Sequence, residues 1–317
     1  MKRKEMLVNI LIYGAGVIGS VYAVHLHNGG HDVSVLARGR RLADIREDGI
    51  LLEAAVTGER IEARVPAVEG LEPQDAYDLV LVAMQKGHIA AVLPILAANR
   101  HTPSVAFLGN NAAGADQLVD ALGTERVLMG FPSIGGYFDG PLVRFAGAGN
   151  GAPGLGITMG ELDGSATPRL RAIAQEFATA GIRVVVEAQI DAWLKGHVAL
   201  VVPILFALDR HSCDNQALAR DRDTLRLMAQ AVREGLAVLR KLGYPVRPFK
   251  LKTIGWLPVF VTVAIFSRII GSEFARVAFA GHAAAAAGEF ELLLAELRAL
   301  ATSSGLATPA LDQLCVY

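Results

Sequence analysis

Six residues near the start of the chain, Gly14-Ala15-Gly16-Val17-Ile18-Gly19, follow the spacing G-x-G-x-x-G. In a chain with 33 glycines that spacing is weak by itself, and its setting gives it weight. An aliphatic run from Leu7 to Tyr13 leads into it; after it Ile18, Val21, Tyr22 and Leu26 share one helical face until Gly29-Gly30. A strand, a tight turn and a helix in that order cradle a pyrophosphate. Gly14 permits the turn, Gly16 lets the backbone approach the phosphates, and Gly19 lets the helix pack on the strand. Unpaired N–H groups and the helix dipole favour the anion at that end. The next strand, Val33-Ser34-Val35-Leu36-Ala37, ends in Arg38, with Arg40 and Arg41 behind it. An NAD-selective site wants a carboxylate there for the ribose 2′-hydroxyl, and Asp32 stands at the wrong end of the strand. Arg38 suits a 2′-phosphate, to which a charge-assisted hydrogen bond contributes ~1.5 to 3 kcal/mol. Leu7 to Arg38 is therefore read as a dinucleotide-binding β-α-β unit holding NADP(H).

The elements around this unit continue its rhythm. Strands are expected at Leu7 to Tyr13, His31 to Ala37, Asp78 to Met84, Ser104 to Gly109 and Arg126 to Gly130, with a weaker one at Ile61 to Val65. Helical stretches follow Gly16, Gly87 and Gly114. Alternation of this kind means a parallel sheet covered by helices, a Rossmann-type α/β fold. Ile134 to Ala148 and Gly154 to Met159 are Gly-rich and β-prone, and are read as an antiparallel extension of the same sheet; a helix at Pro168 to Ala180 and a strand at Ile182 to Val186 follow. From Gln189 onward apolar residues fall at helical spacing through Ile190 to Leu208, Ala217 to Leu242, Val259 to Ile270 and Phe274 to Ala301. The expectation is two domains, residues 1–187 binding the cofactor and residues 188–317 forming an all-helical substrate and dimerisation domain.

Composition removes several function classes. Thirty Lys and Arg stand against 31 Asp and Glu, with no basic block interleaved with aromatics, which argues against nucleic acid. The two cysteines, Cys213 and Cys315, suit a reduced, cytoplasmic setting and supply neither a disulfide framework nor a metal cluster. Met1-Lys2-Arg3-Lys4 and the apolar run behind it resemble a secretory signal, but Glu5 and Asn9 interrupt the run and it leads straight into the phosphate turn. Ile254 to Ser267 is 14 residues long and contains Pro258, too short for the ~20 residues of a membrane span. It is read as a buried helix or the apolar surface of a homodimer formed through the helical domain.

At this level the chain resembles the ketopantoate reductase (2-dehydropantoate 2-reductase) family over nearly its whole length. The turn reads G-A-G-x-x-G as in the family, and Arg38 matches the family's 2′-phosphate arginine. Asn110-Asn111-Ala112 resembles its Gln-Asn-Gly stretch, which implies Asn111 beside the nicotinamide. Trp193-Leu194-Lys195 matches its Trp-x-Lys motif, so Lys195 takes the catalytic lysine's place. Counting back from Gly305-Leu306-Ala307-Thr308-Pro309 aligns Glu289 with the active-site glutamate. The resemblance implies an NADP-dependent oxidoreductase and, for the family's own substrate, pantothenate biosynthesis. Other positions depart from the pattern. Ala199 and Pro203 replace asparagines, Val277 and Gly281 replace a serine and an aspartate, and Gln85, beside Lys86, replaces the cofactor-site lysine after the third strand. The cofactor half is kept while the substrate contacts change, so the substrate is read broadly as a 2-keto acid or related small carbonyl compound.

The chemistry follows from these assignments. Hydride transfer to a ketone needs a donor for the developing alkoxide, and the Lys195 ammonium supplies both positive charge and proton. Burial opposes the charged form; the Glu289 carboxylate is expected to restore it and hold the ammonium in place. His282 lies seven residues before Glu289, two helical turns away on one face, and is the candidate substrate contact. His197, two residues from Lys195, is the second such candidate, on a different side of its helix. Two other readings share these residues: a non-catalytic NADP(H)-binding redox sensor, and a β-hydroxyacid dehydrogenase, whose Lys-x-x-x-Asn pattern Ala199 breaks.

Overall fold

The structure, a computed structural model, describes residues 8–147, 154–280 and 287–315. Its contacts divide the chain into two compact units. One holds Met1–Gly109 with Ala115–Ile190, and the other holds Asn110–Gly114 with Asp191–Tyr317. A cut at residue 187 was expected; the contacts change at Ile190, and the short segment Asn110–Gly114 joins the helical unit.

In the first unit, β1 (Asn9–Tyr13), β2 (Asp32–Leu36), β5 (Ala67–Val68), β6 (Leu79–Val82), β7 (Val105–Leu108) and β8 (Val127–Pro132) pair in parallel. β11 (Leu155–Gly160) adds antiparallel to β8, and β12 (Ile182–Val186) pairs parallel to β11. The spatial order is β12-β11-β8-β7-β6-β1-β2-β5. β1, β6 and β7 are largely apolar runs buried along nearly their whole length, as a sheet covered on both faces requires. Because β2 lies on one side of β1 and β6 on the other, the strand order reverses at β1. The crevice at the carboxyl ends of these strands is where open α/β sheets bind ligands.

The antiparallel extension proves to be two separate things. β11 and β12 do extend the main sheet, whereas β9 (Ile134–Asp139) and β10 (Leu142–Gly147) form a second sheet with β3 (Ile50–Ala54) and β4 (Arg60–Ala63), in the order β4-β3-β10-β9. The cause is helix α1 (Val17–Asn28), which is buried on nearly every side from Gly19 to Val24. A helix that is apolar all round must be covered on more than one face. α1 packs on β1 and β2 from one side and on β3, β4, β9 and β10 from the other, so the second sheet supplies the missing cover. Buried Glu53 pins that sheet, accepting from Arg60 Nε at 2.8 Å and Arg144 Nη1 at 2.6 Å.

The second unit is all helix in the described residues outside its loops. α6 (Ile190–Asp209), which begins at the unit boundary, contributes Val198 to Leu208 to its core. Among the described helices it alone is long and apolar enough to cross a membrane, and 78% of that stretch is buried inside the protein. The expected helix from Ala217 to Leu242 is two, α7 (Asn215–Arg220) and α8 (Arg222–Lys241). Asp221 makes the break, its carboxylate accepting from the N–H groups of Asp223 and Thr224 as a cap does. α10 (Val259–Ile270) buries Thr262, Phe266 and Ile270 and exposes Phe260, Ile265 and Ile269. Within the expected helix from Phe274 to Ala301, the described residues form a short turn Glu273–Ala275, a π-helical turn Arg276–Ala280 and a long helix Ala287–Ser304, and residues 281–286 lie outside the described ones.

Candidate active site

The glycine turn occupies the place its spacing predicts. Gly14, at φ +117°, has its α-carbon so close to β6 that a Cβ would stand 2.7 Å from the Ala83 carbonyl oxygen, and a Cβ on Gly19 would overlap the Gly14 carbonyl. Around Gly16 nothing lies within 4 Å of a Cβ position, so its backbone faces open space at the start of α1. Val17 and Ile18 pack into the core beneath.

This turn forms one wall of a cleft of about 330 Å³. Leu36, Met84 and Val92 make apolar walls, and Arg38 and Arg41 supply cations. Arg38 stands at the N-terminal boundary of helix α2 (Gly39–Asp48), with an exposed side chain and a long bond from Nε to the Glu69 carbonyl, 3.4 Å. Gln85 and Lys86 follow Met84 at a 3-10 turn, Lys86–His88, and are not among the residues lining the cleft.

Two lining residues carry chemistry that the motif did not announce. Arg41 donates from Nε to the Ala15 carbonyl at 3.3 Å and from Nη2 to Ser20 Oγ at 3.0 Å, while its guanidinium lies 5.0 Å from the Phe138 ring centroid. It therefore braces the phosphate turn. Tyr13, the last residue of β1, is 1% exposed, and its hydroxyl has no hydrogen-bond partner among the described residues. Such a group costs about 1 to 3 kcal/mol. An open glycine cradle, a cationic rim and an orphaned hydroxyl in one cleft fit a dinucleotide.

The helical unit contains the lysine. Lys195 is 3% exposed, and its ammonium is ion-paired with Asp191, one turn earlier on α6. On another side the Tyr244 ring centroid is 4.8 Å from Nζ. Gly196 makes this approach possible, because a Cβ there would overlap the carbonyl of Arg247, in the segment that carries Tyr244. The carboxylate shown gripping the lysine is thus Asp191, which the sequence reading passed over; the i, i+4 spacing of Asp191 and Lys195 was the available signal.

Asn110–Gly114 approaches the same group. Both Asp191 Oδ1 and Lys195 Nζ lie 3.9 Å from a Cβ position on Gly114. The Asn111 amide braces the loop, donating from Nδ2 to the Gly114 carbonyl at 2.8 Å and accepting at Oδ1 from the Gly114 N–H at 3.0 Å. The loop is fastened to helix Ala287–Ser304 by Glu296 Oε2, which accepts from the N–H groups of Ala112 at 2.8 Å and Ala113 at 3.2 Å. Glu289, buried in the first turn of that helix, stands two turns before Glu296 and therefore on the same face.

The remaining candidates separate. His197 stacks on Trp193, ring centroids 5.4 Å apart and planes 5° from parallel, and burial pushes its pKa down to about 4. It is neutral near pH 7, so it brings no positive charge to a substrate carboxylate. Ala199 is fully buried against Gly235 of α8, where a Cβ would stand 3.0 Å from Ala199 Cβ; this contact has no room for an asparagine. Val277 is fully buried and Pro203 is buried within α6. His282 and Gly281 lie outside the described residues.

Known proteins agree with this architecture. Residues 10–156 match the sequence model of the family described as "Ketopantoate reductase PanE/ApbA". The oxidoreductase YkpB of Bacillus subtilis, itself uncharacterized, is 25% identical over 247 residues, covering 76% of this chain and 78% of its own. A 2-dehydropantoate 2-reductase from Geobacter metallireducens has a similar fold, with a TM-score of 0.78 and 18% identity over 97% of each chain. So does a D-mandelate dehydrogenase whose structure contains NADH and anilino(oxo)acetate, with a TM-score of 0.78 and 17% identity over 96% of each chain. The glycine turn and its cleft lie within residues 10–156, the segment that matches the ketopantoate reductase family.

Proposed function

We propose that the protein is an NADPH-dependent reductase of a 2-keto acid or related small carbonyl compound, with Lys195 as proton donor. The observation that carries this reading is Lys195 itself, a nearly fully buried ammonium held between a carboxylate and an aromatic ring beside the Asn111 loop. A lysine is rarely buried without a partner, and here its partners restrict where Nζ can point. Asp191, its side chain 46% exposed, connects the ammonium to solvent.

A bound nicotinamide would supply a hydride from C4. Lys195 would place an N–H against the carbonyl oxygen, stabilise the alkoxide charge and deliver the proton. Asn111 and Glu289 are proposed beside it, Asn111 toward the nicotinamide and Glu289 toward the substrate. Gly14 to Gly19 would hold the pyrophosphate, and Arg38 the 2′-phosphate. Gln85 and Lys86, which follow the lining residue Met84, are proposed further cofactor contacts. His282 and the neutral His197 are proposed substrate contacts that act by hydrogen bonding.

The test is substrate-dependent NADPH oxidation across 2-keto acids, including ketopantoate and the aryl 2-keto acids suggested by the mandelate dehydrogenase neighbour, with NADH in parallel. Turnover with NADPH at least tenfold more efficient than with NADH is expected. Tight NADPH binding without turnover on any member would replace the enzyme reading with the redox-sensor reading. A homodimer through the helical unit is proposed from the exposed apolar side chains Trp256, Phe260, Ile265 and Ile269; sedimentation as a monomer would refute it.

A further inference from the structure

Two tyrosines are buried in the first unit, and they are treated differently. Tyr22, on α1, is fully buried and donates to the Gly156 carbonyl at 2.8 Å, so its hydroxyl is part of the core's bonding. Tyr13 is buried as deeply, yet its hydroxyl has no partner among the described residues. A phenylalanine would fill the position without leaving a polar atom unsatisfied. An unsatisfied hydroxyl in a ligand cleft points to a bond made when the ligand is present.

The surroundings specify that ligand. Along β1, Ile10 and Ile12 point into the core that contains α1, and by strand alternation Tyr13 points to the opposite face. There it lines the cleft with Leu36, Met84 and Val92, an apolar slot suited to a flat base, and with Arg38 at its cationic rim. Burial raises the phenol's pKa while the Arg38 charge pulls it back, so the hydroxyl remains protonated at neutral pH and the two groups feel one another. Arg41 is already engaged with Ala15 and Ser20, which leaves Arg38 as the cation placed for a phosphate. A protonated hydroxyl in the same cleft as that cation is a second donor for the same anion.

We infer that Tyr13 determines cofactor specificity together with Arg38, its hydroxyl donating to the 2′-phosphate of the adenosine ribose. The inference rests on the NADPH reading above and adds a second residue to that phosphate's recognition.

Isothermal titration of the wild type, Tyr13→Phe and Arg38→Gln with adenosine 2′-monophosphate and adenosine 5′-monophosphate tests it without turnover. Tyr13→Phe is expected to weaken the 2′-monophosphate by roughly tenfold or more and the 5′-monophosphate by less than about twofold. The unliganded variant should melt at or above the wild-type temperature, because an orphaned hydroxyl has been removed. Unchanged 2′-monophosphate affinity in Tyr13→Phe, or equal losses for both nucleotides, would overturn the inference. If Arg38→Gln selectively loses the 2′-monophosphate while Tyr13→Phe does not, the NADPH reading stands and Tyr13 is a packing residue. A wild type with no preference for the 2′-monophosphate overturns both.

Discussion

The cofactor cleft and the lysine site are built on different length scales. From Gly14 to Arg38 the cleft's principal groups lie within one β-α-β unit, where each residue's role follows from the strand, turn or helix end that it occupies. The lysine site draws Asn111, Asp191, Lys195, Tyr244 and Glu296 from four separate segments of the chain. Local rules of backbone geometry organise the first site. Tertiary packing organises the second, through a glycine at 196 that admits another segment's backbone and a glutamate at 296 that captures a loop's N–H groups. A change in the cleft should therefore alter cofactor affinity in isolation, whereas a change in the lysine site should propagate among its members.

The sharpest test of that separation is Lys195→Ala. Loss of the proton donor is expected to lower kcat by roughly 10²- to 10⁴-fold. NADPH affinity, measured by fluorescence titration, should stay within about twofold, because the cleft's glycines and arginines are untouched. Equal losses in both measurements would show that the two sites act as one and would remove Lys195 from its assigned role.

Asp191→Asn comes next. It keeps the side-chain shape and one acceptor but removes the charge paired with a buried ammonium. Misplacement of Nζ is expected to lower kcat by roughly tenfold to a hundredfold. Asp191→Glu, which keeps the charge on a longer arm, should recover part of the loss. A rate independent of the residue at 191 would leave Tyr244 and the Asn111 loop as the groups that position the lysine.

These contrasts explain what could be read from residues alone. The parallel strands, the helical second half, the glycine turn and Arg38 were legible because burial in a parallel sheet and a phosphate-binding helix start leave contiguous patterns. Lys195 and Glu289 were legible only through resemblance to a family. Asp191 was hidden as one more acid near a helix start, and Glu296 as a surface residue of its helix. The second sheet was also hidden, because β-prone residues do not say which sheet they join; the all-round burial of α1 decides that. Ala199 is instructive, since it looked like a lost substrate contact and the structure gives it a packing role against Gly235.

Glu296 tests whether the loop belongs functionally to the helical unit. Glu296→Ala leaves the Ala112 and Ala113 N–H groups without their charged acceptor. Stability should fall by about 1.5 to 3 kcal/mol, read as a lower midpoint in urea. The Asn111 loop should exchange its amide hydrogens faster while β1 and α1 remain as protected as in the wild type. Loosening of both units would break the comparison.

The smallest expected effect concerns pH. Burial holds His197 at a pKa of about 4, below the ordinary 6.5 of a solvated histidine. Between those values the unfolded chain binds a proton at this residue that the folded chain excludes. This contribution to stability is therefore complete above about pH 6.5 and is lost progressively as pH falls toward 4. Between pH 7 and pH 5.5 the loss should be about 1 kcal/mol. His197→Gln, neutral throughout, should flatten that part of the profile, measured as the difference between the two proteins' unfolding free energies across the range. A parallel offset at every pH would mean that the imidazole titrates alike in both states and that its stack on Trp193 leaves it solvated. Convergence at low pH would place His197 among the desolvated groups of the lysine site, in contrast to the exposed Arg38 of the cofactor cleft.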